Sequence, residues 1–166
     1  GEGWAPGGVW VRGPQAMLVN HNNEEAPEIT LLRDGWLRTG DIVECDYEGN
    51  PYVIDRAKEL IKYKGYQVAP AELEALLITH ESIADAAVVG YLRAEDGEEI
   101  PRAFVVPQAG EDGAPVAVDT EVLMEWVAER VAPYKKVRLV EIIDEIPKSG
   151  TGKILRKNLR DVPVSS

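Results

Sequence analysis

The pattern of apolar residues changes after the first third of the chain, and this change limits the possible folds more than any other feature. Residues 9–11 and 52–54 form short apolar runs among glycine, asparagine and aspartate, and no helical stripe accompanies them. Helical spacing begins only at Pro70. The sequence therefore predicts a β-rich part, residues 1–56, followed by a different domain, residues 57–166.

The second part is predicted to mix helices and strands. Pro70 suits a first helical turn, and Leu73 and Leu77 follow it at helical spacing. Asp119 is a typical N-cap for a second helix, which Pro133 would stop. Strands are expected at residues 84–91, 102–106 and 137–143, the first two antiparallel, and a short helix is expected at residues 153–157. This αββαβα order predicts a compact α+β domain with helices on a small sheet.

Composition excludes several classes of function. The net charge of -11 would repel nucleic acid and anionic membrane surfaces, so neither is an expected partner. One cysteine, Cys45, and two histidines give no zinc spacing, so no metal site is predicted. No apolar run approaches the roughly 20 residues of a membrane span, and no signal pattern is present. A cytoplasmic location is expected, and the start at Gly1, close to a strand, suggests a fragment of a longer protein.

Three motifs contain residues that could carry chemistry, and the first spans residues 35–41. Its two glycines allow close approach of the backbone, and Asp41 follows at the end of the turn. A carboxylate in this position could accept both hydroxyls of a ribose. The alternative is structural, with Trp36 filling a core and Asp41 capping a strand.

The second motif, residues 55–65, concentrates positive charge within an acidic chain. Its four cations are Arg56, Lys58, Lys62 and Lys64. Such a concentration fits a phosphate or a nucleotide. The alternative is a solvated hairpin, turning near Gly65, whose lysines point outward while Leu60 and Ile61 face inward.

The third motif is the loop of residues 148–153, in which glycines should give mobility. Lys153 at its end supplies a movable positive charge for a phosphate. The loop is similar to a P-loop only superficially, because that pattern requires glycine at Pro147 and Ser or Thr at Ile154. No glycine-rich dinucleotide fingerprint follows any predicted strand.

Taken together and in order, residues 35–41, 55–74 and 147–156 resemble the adenylate-forming superfamily. Within that superfamily, essentially the whole chain resembles the branch that contains 4-coumarate-CoA ligase, acyl-CoA synthetases and beetle luciferase. The resemblance implies that residues 1–56 end the large N-terminal domain and that residues 57–166 form the small C-terminal lid domain. In the loop of residues 17–26, Val19-Asn20 and Glu24 replace residues that are usual in the family.

The resemblance also implies an activity. Such enzymes make an acyl-adenylate from a carboxylic acid and ATP, release pyrophosphate, and then form a thioester with CoA. Mg²⁺ would be bound mainly by the enzyme's own N-terminal domain. By likeness to the family motifs, Asp41 would bind the ribose, Arg56 and Lys58 would lie at the nucleotide, Lys58 would also be the hinge, and Lys153 would be the adenylation lysine.

After adenylation, the lid domain of such an enzyme rotates and presents another face. The resemblance places Lys62 and Gln67 beside the adenylate as catalytic residues of thioester formation, with Lys64 and Gly65 at the entry for CoA. A side chain at position 65 would obstruct that entry.

Three alternatives remain open from the sequence. The chain could belong to an adenylating enzyme that loads a carrier protein, to a luciferase-like oxidative enzyme, or to a non-catalytic binding module with the lid fold. The phosphate loop and acyl pocket of the family would lie upstream of Gly1. The chain alone is therefore expected to be inactive.

Overall fold

A computed structural model describes residues 7–14 and 34–164 of the protein. The chain forms two compact units, residues 1–58 and 59–166, so their boundary falls at the Lys58–Glu59 bond. The altered loop at residues 17–26 lies outside the described residues. No helix among the described residues is long and apolar enough to cross a membrane.

The described part of the first unit is an antiparallel sheet. Its strands are β1 (Gly7–Val11), β2 (Leu37–Cys45) and β3 (Pro51–Arg56), in the order β1-β2-β3. Strands β2 and β3 form an antiparallel hairpin. Its turn is held by Asp46, whose carboxylate accepts hydrogen bonds from the Glu48 and Asn50 N–H groups, both at 2.9 Å. Hydrogen bonds, chiefly from Asn50, hold the pKa of Asp46 below its usual value.

The second unit contains every element that the sequence predicts for it. In chain order these are β4 (Ile61–Tyr63), β5 (Tyr66–Val68), α1 (Pro70–Ile78), β6 (Ile83–Leu92), β7 (Glu99–Pro107), α2 (Thr120–Ala128), a 3₁₀ turn (Pro133–Lys135), β8 (Leu139–Ile142) and α3 (Arg156–Arg160). Strands β4 and β5 form a separate antiparallel hairpin. The main sheet has the order β6-β7-β8, with β6 antiparallel and β8 parallel to β7. The predicted α+β class and αββαβα order are confirmed.

Two details of the helices differ from the prediction. Asp119 does cap α2, accepting from the Glu121 and Val122 N–H groups at 3.0 and 3.1 Å. Helical spacing predicts Val122, Leu123, Trp126 and Val127 on one face of this helix. However, Val122 is 58% exposed, because Leu123 and Val127, four residues apart, define the buried face. The terminal helix begins at Arg156 rather than residue 153, since the preceding residues form a turn.

Each face of the main sheet has its own core. One face carries Ala86 and Val88 of β6, and it is covered by α1, α2 and the β4–β5 hairpin. The other face carries Ala87 and Val89, and it is covered by the C-terminal segment. Successive residues of a strand point to opposite faces, so β6 contributes to both cores. The first core consists of Ile61, Val68, Leu73, Leu77, Ile83, Ala86, Val88, Ala103, Val105, Leu123, Val127 and Val137, and the second of Ala87, Val89, Phe104, Ile146 and Leu159.

Candidate functional site

The first group of predicted site residues lies on the β2–β3 hairpin. Asp41 and Arg56 are opposite each other in the antiparallel register, with 3.5 Å between Arg56 Nε and Asp41 Oδ1. Gly40, with a φ of +77°, precedes Asp41. The Thr39 hydroxyl accepts from the Asp41 N–H at 3.1 Å and donates to the Val9 carbonyl at 3.2 Å, which fixes the local backbone. The Asp41 and Arg56 side chains are 32% and 61% exposed, so a ligand can reach both.

The described residues do not support the structural alternative for Trp36, in which its side chain fills a core. Trp36 is 36% exposed and therefore does not fill a core among them. Lys58 is also exposed, in the turn that follows β3, and it is the last residue of the first unit. This position suits a hinge, although the hinge role itself stays a prediction.

The second group lies on the β4–β5 hairpin. Lys62 and Gln67 are cross-strand partners with exposed side chains, so they share one face of the hairpin. Ile61 and Tyr63 point the other way and are buried, while Leu60 is only half-buried. Buried and exposed residues thus alternate along the hairpin, as in a solvated ribbon. The same alternation places Lys62 and Gln67 together on the exposed face, where a ligand can reach both.

The turn of this hairpin has an unusual backbone. Lys64 and Gly65 have φ values of +48° and +80°, the pattern of a type I′ turn. Nothing lies within 4 Å of a Cβ atom added at Gly65. In this structure the glycine is therefore required by the backbone conformation, and an obstructed path for CoA stays a prediction.

Carboxylates from the start of β7 hold the hairpin in place. Glu99 Oε2 accepts from the Lys62 N–H at 2.8 Å, and Glu98 Oε2 accepts from the Lys64 N–H at 3.1 Å. Gly90 leaves the space that the Glu99 side chain occupies, since an added Cβ at Gly90 would lie 2.0 Å from Glu99 Oε1. These three residues could not be recognised from the sequence, because only the fold brings them to the hairpin.

Aromatic contacts fix the other side of the hairpin. Tyr66 stacks on Tyr134 of the 3₁₀ turn, with 4.4 Å between ring centroids and 14° between ring planes. The Arg138 guanidinium lies 3.8 Å from the centroid of the Tyr63 ring. Both contacts orient the strand residues next to Lys62 and Gln67.

The third group is the Lys153 loop, residues 148–153. The Ser149 N–H donates to the Lys153 carbonyl at 2.8 Å, and the Lys153 N–H donates to the Ser149 hydroxyl at 3.2 Å. Gly152 has a φ of +81°, and its N–H donates to the Ser149 carbonyl at 2.8 Å. Lys148 and Ile154 pair beyond this turn. The motif is therefore a hydrogen-bonded turn. Among the described residues, the Lys153 ammonium has no charged partner.

A buried ion pair lies just after the Lys153 loop. Arg156 Nη2 donates to both Glu74 carboxylate oxygens, at 2.8 and 2.9 Å, and the two side chains are 11% and 10% exposed. Neither residue is among the site residues predicted from the sequence. A signal for Glu74 was present, because it lies four residues after the buried Pro70 and three residues before the buried Leu77.

The second and third groups lie on opposite sides of the main sheet. Ile61 and Val68 of the hairpin belong to the core on one face. Ile154, next to Lys153, packs against the core on the other face together with Leu159. The structure therefore does not bring Lys62 and Gln67 together with Lys153. One small domain therefore carries two separate cationic surfaces, one at Lys62 and the other at Lys153.

Known proteins are similar to this chain in sequence and in fold. Residues 72–153 match the family described as the AMP-binding enzyme C-terminal domain. More particularly, the chain corresponds to the C-terminal part of adenylate-forming enzymes similar to 4-coumarate-CoA ligase, and the resemblance stated from its motifs is confirmed.

Two curated plant relatives illustrate the match. The chain is 49% identical over 160 residues to peroxisomal OPC-8:0-CoA ligase 1 of Arabidopsis thaliana, covering 96% of this chain and 28% of the relative. It is 50% identical over 153 residues to 4-coumarate-CoA ligase-like 4 of Oryza sativa subsp. japonica, covering 92% and 27%. The chain thus spans little more than a quarter of the length of these relatives.

A solved structure is also similar. It is the o-succinylbenzoate CoA synthetase (MenE) of Bacillus subtilis in complex with the acyl-adenylate intermediate OSB-AMP, with a TM-score of 0.81 and 32% identity. The match covers 99% of this chain and 32% of that enzyme.

Proposed function

We propose that this chain is the C-terminal part of an AMP-forming acyl- or aryl-CoA ligase. The enzyme would form an acyl-adenylate from a carboxylic acid and ATP and then transfer the acyl group to CoA. The observation that carries the proposal is the separation of two cationic surfaces on opposite faces of one sheet. If these lysines only kept the domain solvated, there would be no reason for two separate charged surfaces. Two successive reactions of anionic substrates would each need one of them.

Asp41, Arg56 and Lys153 serve the first reaction in this proposal. The Asp41 carboxylate can accept hydrogen bonds from two ribose hydroxyls, and the neighbouring Arg56 is open to the nucleotide. Lys153 supplies a positive charge without a competing partner among the described residues. Such a charge stabilises the negative charge that develops on the oxygens as the carboxylate attacks the α-phosphorus and pyrophosphate leaves.

Lys62, Gln67, Lys64 and Gly65 serve the second reaction. Lys62 and Gln67 project from one face of the hairpin and would contact the adenylate during attack by the CoA thiol. Lys64 lies at the tip of the hairpin, where an exposed ammonium can attract the phosphates of CoA. Nothing near Gly65 blocks an approaching chain.

Rotation of the small domain about Lys58 would exchange the two surfaces. Because Lys153 and Lys62 belong to opposite faces, a turn of the domain that brings one to a fixed active site withdraws the other. The active site itself would belong to the enzyme's own large N-terminal domain. Among residues 7–14 and 34–164, no cluster of His, Cys, Asp or Glu could hold a metal ion, so in this proposal Mg²⁺ is bound mainly by that domain.

Other second reactions are the main competitors. A luciferase-like enzyme or one that loads a carrier protein would share adenylation and differ only in the acceptor. The names of the curated relatives, which are CoA ligases, favour CoA. One of them is named peroxisomal, so the expected cytoplasmic location is best tested by fluorescence of a tagged full-length protein.

Pyrophosphate exchange tests the first reaction. The full-length polypeptide that contains this sequence should incorporate labelled pyrophosphate into ATP with some member of a panel of 4-coumarate, o-succinylbenzoate and straight-chain fatty acids. Lys153→Ala should lower this exchange by about 100-fold or more, because one charge aimed at the developing oxyanion is lost. The matched control is Lys157→Ala, which removes an exposed lysine of α3. Exchange that survives in Lys153→Ala, or wild-type silence across the panel, contradicts the proposal.

A further inference from the structure

We propose that Glu74 is a positioning residue for the Lys153 loop and that it supports adenylation but not thioester formation. The inference rests on the proposed function. Glu74 lies on the buried face of α1, far along the chain from Lys153, and is connected to the loop through Arg156.

The Glu74–Arg156 pair closes one edge of the main sheet. Strand β6 is the edge strand, and at Val88 its N–H donates to Glu74 Oε1 at 2.8 Å. The Val88 carbonyl accepts from Arg156 Nε at 3.3 Å. The two charged side chains therefore satisfy both polar groups of one edge residue and each other. They connect α1, on one face of the sheet, with α3, on the other.

This connection fixes one end of the Lys153 loop. Arg156 is three residues beyond Lys153, and Ile154 between them packs against the second core. The other end is fixed by Lys148, whose ammonium lies 2.5 Å from Asp85 Oδ2 on the same strand β6. Two charged side chains, Lys148 and Arg156, thus hold the two ends of the loop that carries Lys153 to one strand.

The hairpin is held by different groups. Glu98 and Glu99 bind the Lys64 and Lys62 N–H groups from the start of β7, on the face that α3 does not cover. Loss of the Glu74 charge removes the ion pair of Arg156 and leaves only its weaker bond to the Val88 carbonyl, so the Lys153 loop can shift while the contacts of Glu98 and Glu99 remain. A displacement near 1 Å can lower the rate of a reaction about 100-fold. The effect of the change should therefore be confined to one half-reaction.

The substitution Glu74→Gln provides the test in the full-length enzyme. This change keeps the shape of the side chain and an acceptor for the Val88 N–H, but it removes the charge that binds Arg156. The matched control is Glu141→Gln. Glu141 is equally buried, with its side chain also 10% exposed, and it pairs with the buried Arg102 rather than with the loop.

Both half-reactions should be measured for each protein. Pyrophosphate exchange reports adenylation, with whichever acid of the panel supports it. Formation of the CoA thioester from the synthetic adenylate of that acid reports the second half-reaction. We expect Glu74→Gln to lower the exchange rate about 10- to 100-fold and to leave thioester formation within about 2-fold. Glu141→Gln should affect both half-reactions to a similar extent.

A conservative substitution of Arg156 distinguishes a positioning role from a general effect on the stability of the enzyme. Arg156→Lys should retain more exchange than Arg156→Gln, because it keeps a charge near Glu74. An equal loss of both half-reactions in Glu74→Gln, or no loss of exchange, overturns the positioning role. If the wild-type enzyme gives neither half-reaction, the proposed function itself fails, and that result is separate from the others.

Discussion

At the scale of single residues, Arg102 is a charged side chain of the second unit that requires several hydrogen-bond acceptors. It is fully buried, and its Nη2 atom donates to Glu141 at 2.9 Å. It also donates to the carbonyls of Val162 and Pro163 at 2.6 and 2.8 Å. Its guanidinium lies 4.7 Å from the centroid of the Phe104 ring. One strand residue therefore holds the last described segment of the chain against the sheet.

Removal of Arg102 should be costly. Arg102→Met leaves the Glu141 carboxylate and two carbonyls without their donor, so we expect the free energy of unfolding of the 166-residue chain to fall by about 3–5 kcal/mol. Urea denaturation followed by circular dichroism measures this change. Arg160→Met is the control, because its ion pair with Glu59 is partly exposed and should contribute less than about 1 kcal/mol. Similar losses in the two variants would contradict the role of Arg102.

The sequence could predict some of these residues and not others. Asp41, Arg56 and Lys153 stand in motifs that a family shares, so their candidacy needs no structure. Glu74 could have been recognised as buried from its helical spacing. Arg102 could not, because its partner Glu141 lies 39 residues away and nothing in the local pattern marks a charged residue as buried.

At the scale of elements, the β4–β5 hairpin carries four predicted site residues on an unfavourable backbone. The left-handed region favours Gly, Asn and Asp, yet Lys64 occupies it in the type I′ turn. A lysine side chain lacks the short polar group with which Asn and Asp stabilise this conformation. Its presence is understandable if the ammonium binds CoA, since strained residues concentrate at functional sites.

Lys64→Asn separates these two effects. We expect it to raise the free energy of unfolding by up to about 1 kcal/mol, because asparagine adopts positive φ more readily. It should also lower the rate of thioester formation by the full-length enzyme at subsaturating CoA. Lys64→Ala, the control, should lower that rate without the gain in stability. If both variants keep the wild-type rate, Lys64 has no role with CoA.

Element boundaries were predicted less well than the elements themselves. The glycines of the Lys153 loop suggested mobility followed by a helix, but the pairing of Lys148 with Ile154 and the Ser149 hydrogen bonds extend the turn. The helix therefore starts only at Arg156. Strand β8 is shorter than predicted, Leu139–Ile142, because pairing with β7 rather than apolar character sets its ends. Local pairing within the turn decides the first boundary, and pairing with the distant strand β7 decides the second.

At the scale of the whole molecule, the second unit is organised around a sheet with two covered faces. Which element covers which face could not be predicted from the sequence, because the order αββαβα allows several arrangements. Every residue of the two cores lies between residues 61 and 162. The second unit thus contains both of its own cores, and both depend on the same strands β6 and β7.

This arrangement predicts that residues 59–166 fold alone and unfold in one transition. Trp126 is the single tryptophan of this segment and packs against the first core, so its fluorescence reports that face. Leu159→Ala removes a 2% exposed side chain from the second core and should cost about 2–5 kcal/mol. Ala87 of the second core and Val88 of the first core are neighbours on strand β6. The loss of stability should therefore affect both faces of the sheet.

The measurement is urea denaturation followed in parallel by Trp126 fluorescence and far-ultraviolet circular dichroism. In the wild-type segment the two curves should coincide, as expected for a two-state domain. Leu159→Ala should shift both curves equally, although Trp126 lies on the opposite face from the substitution. The control Val122→Ala changes an exposed residue of α2, next to Leu123, and should shift neither curve appreciably. A circular dichroism curve that moves while the Trp126 curve stays in place would show that the two faces unfold separately, and rotation of the domain as one rigid body between two reactions would then lose its structural basis.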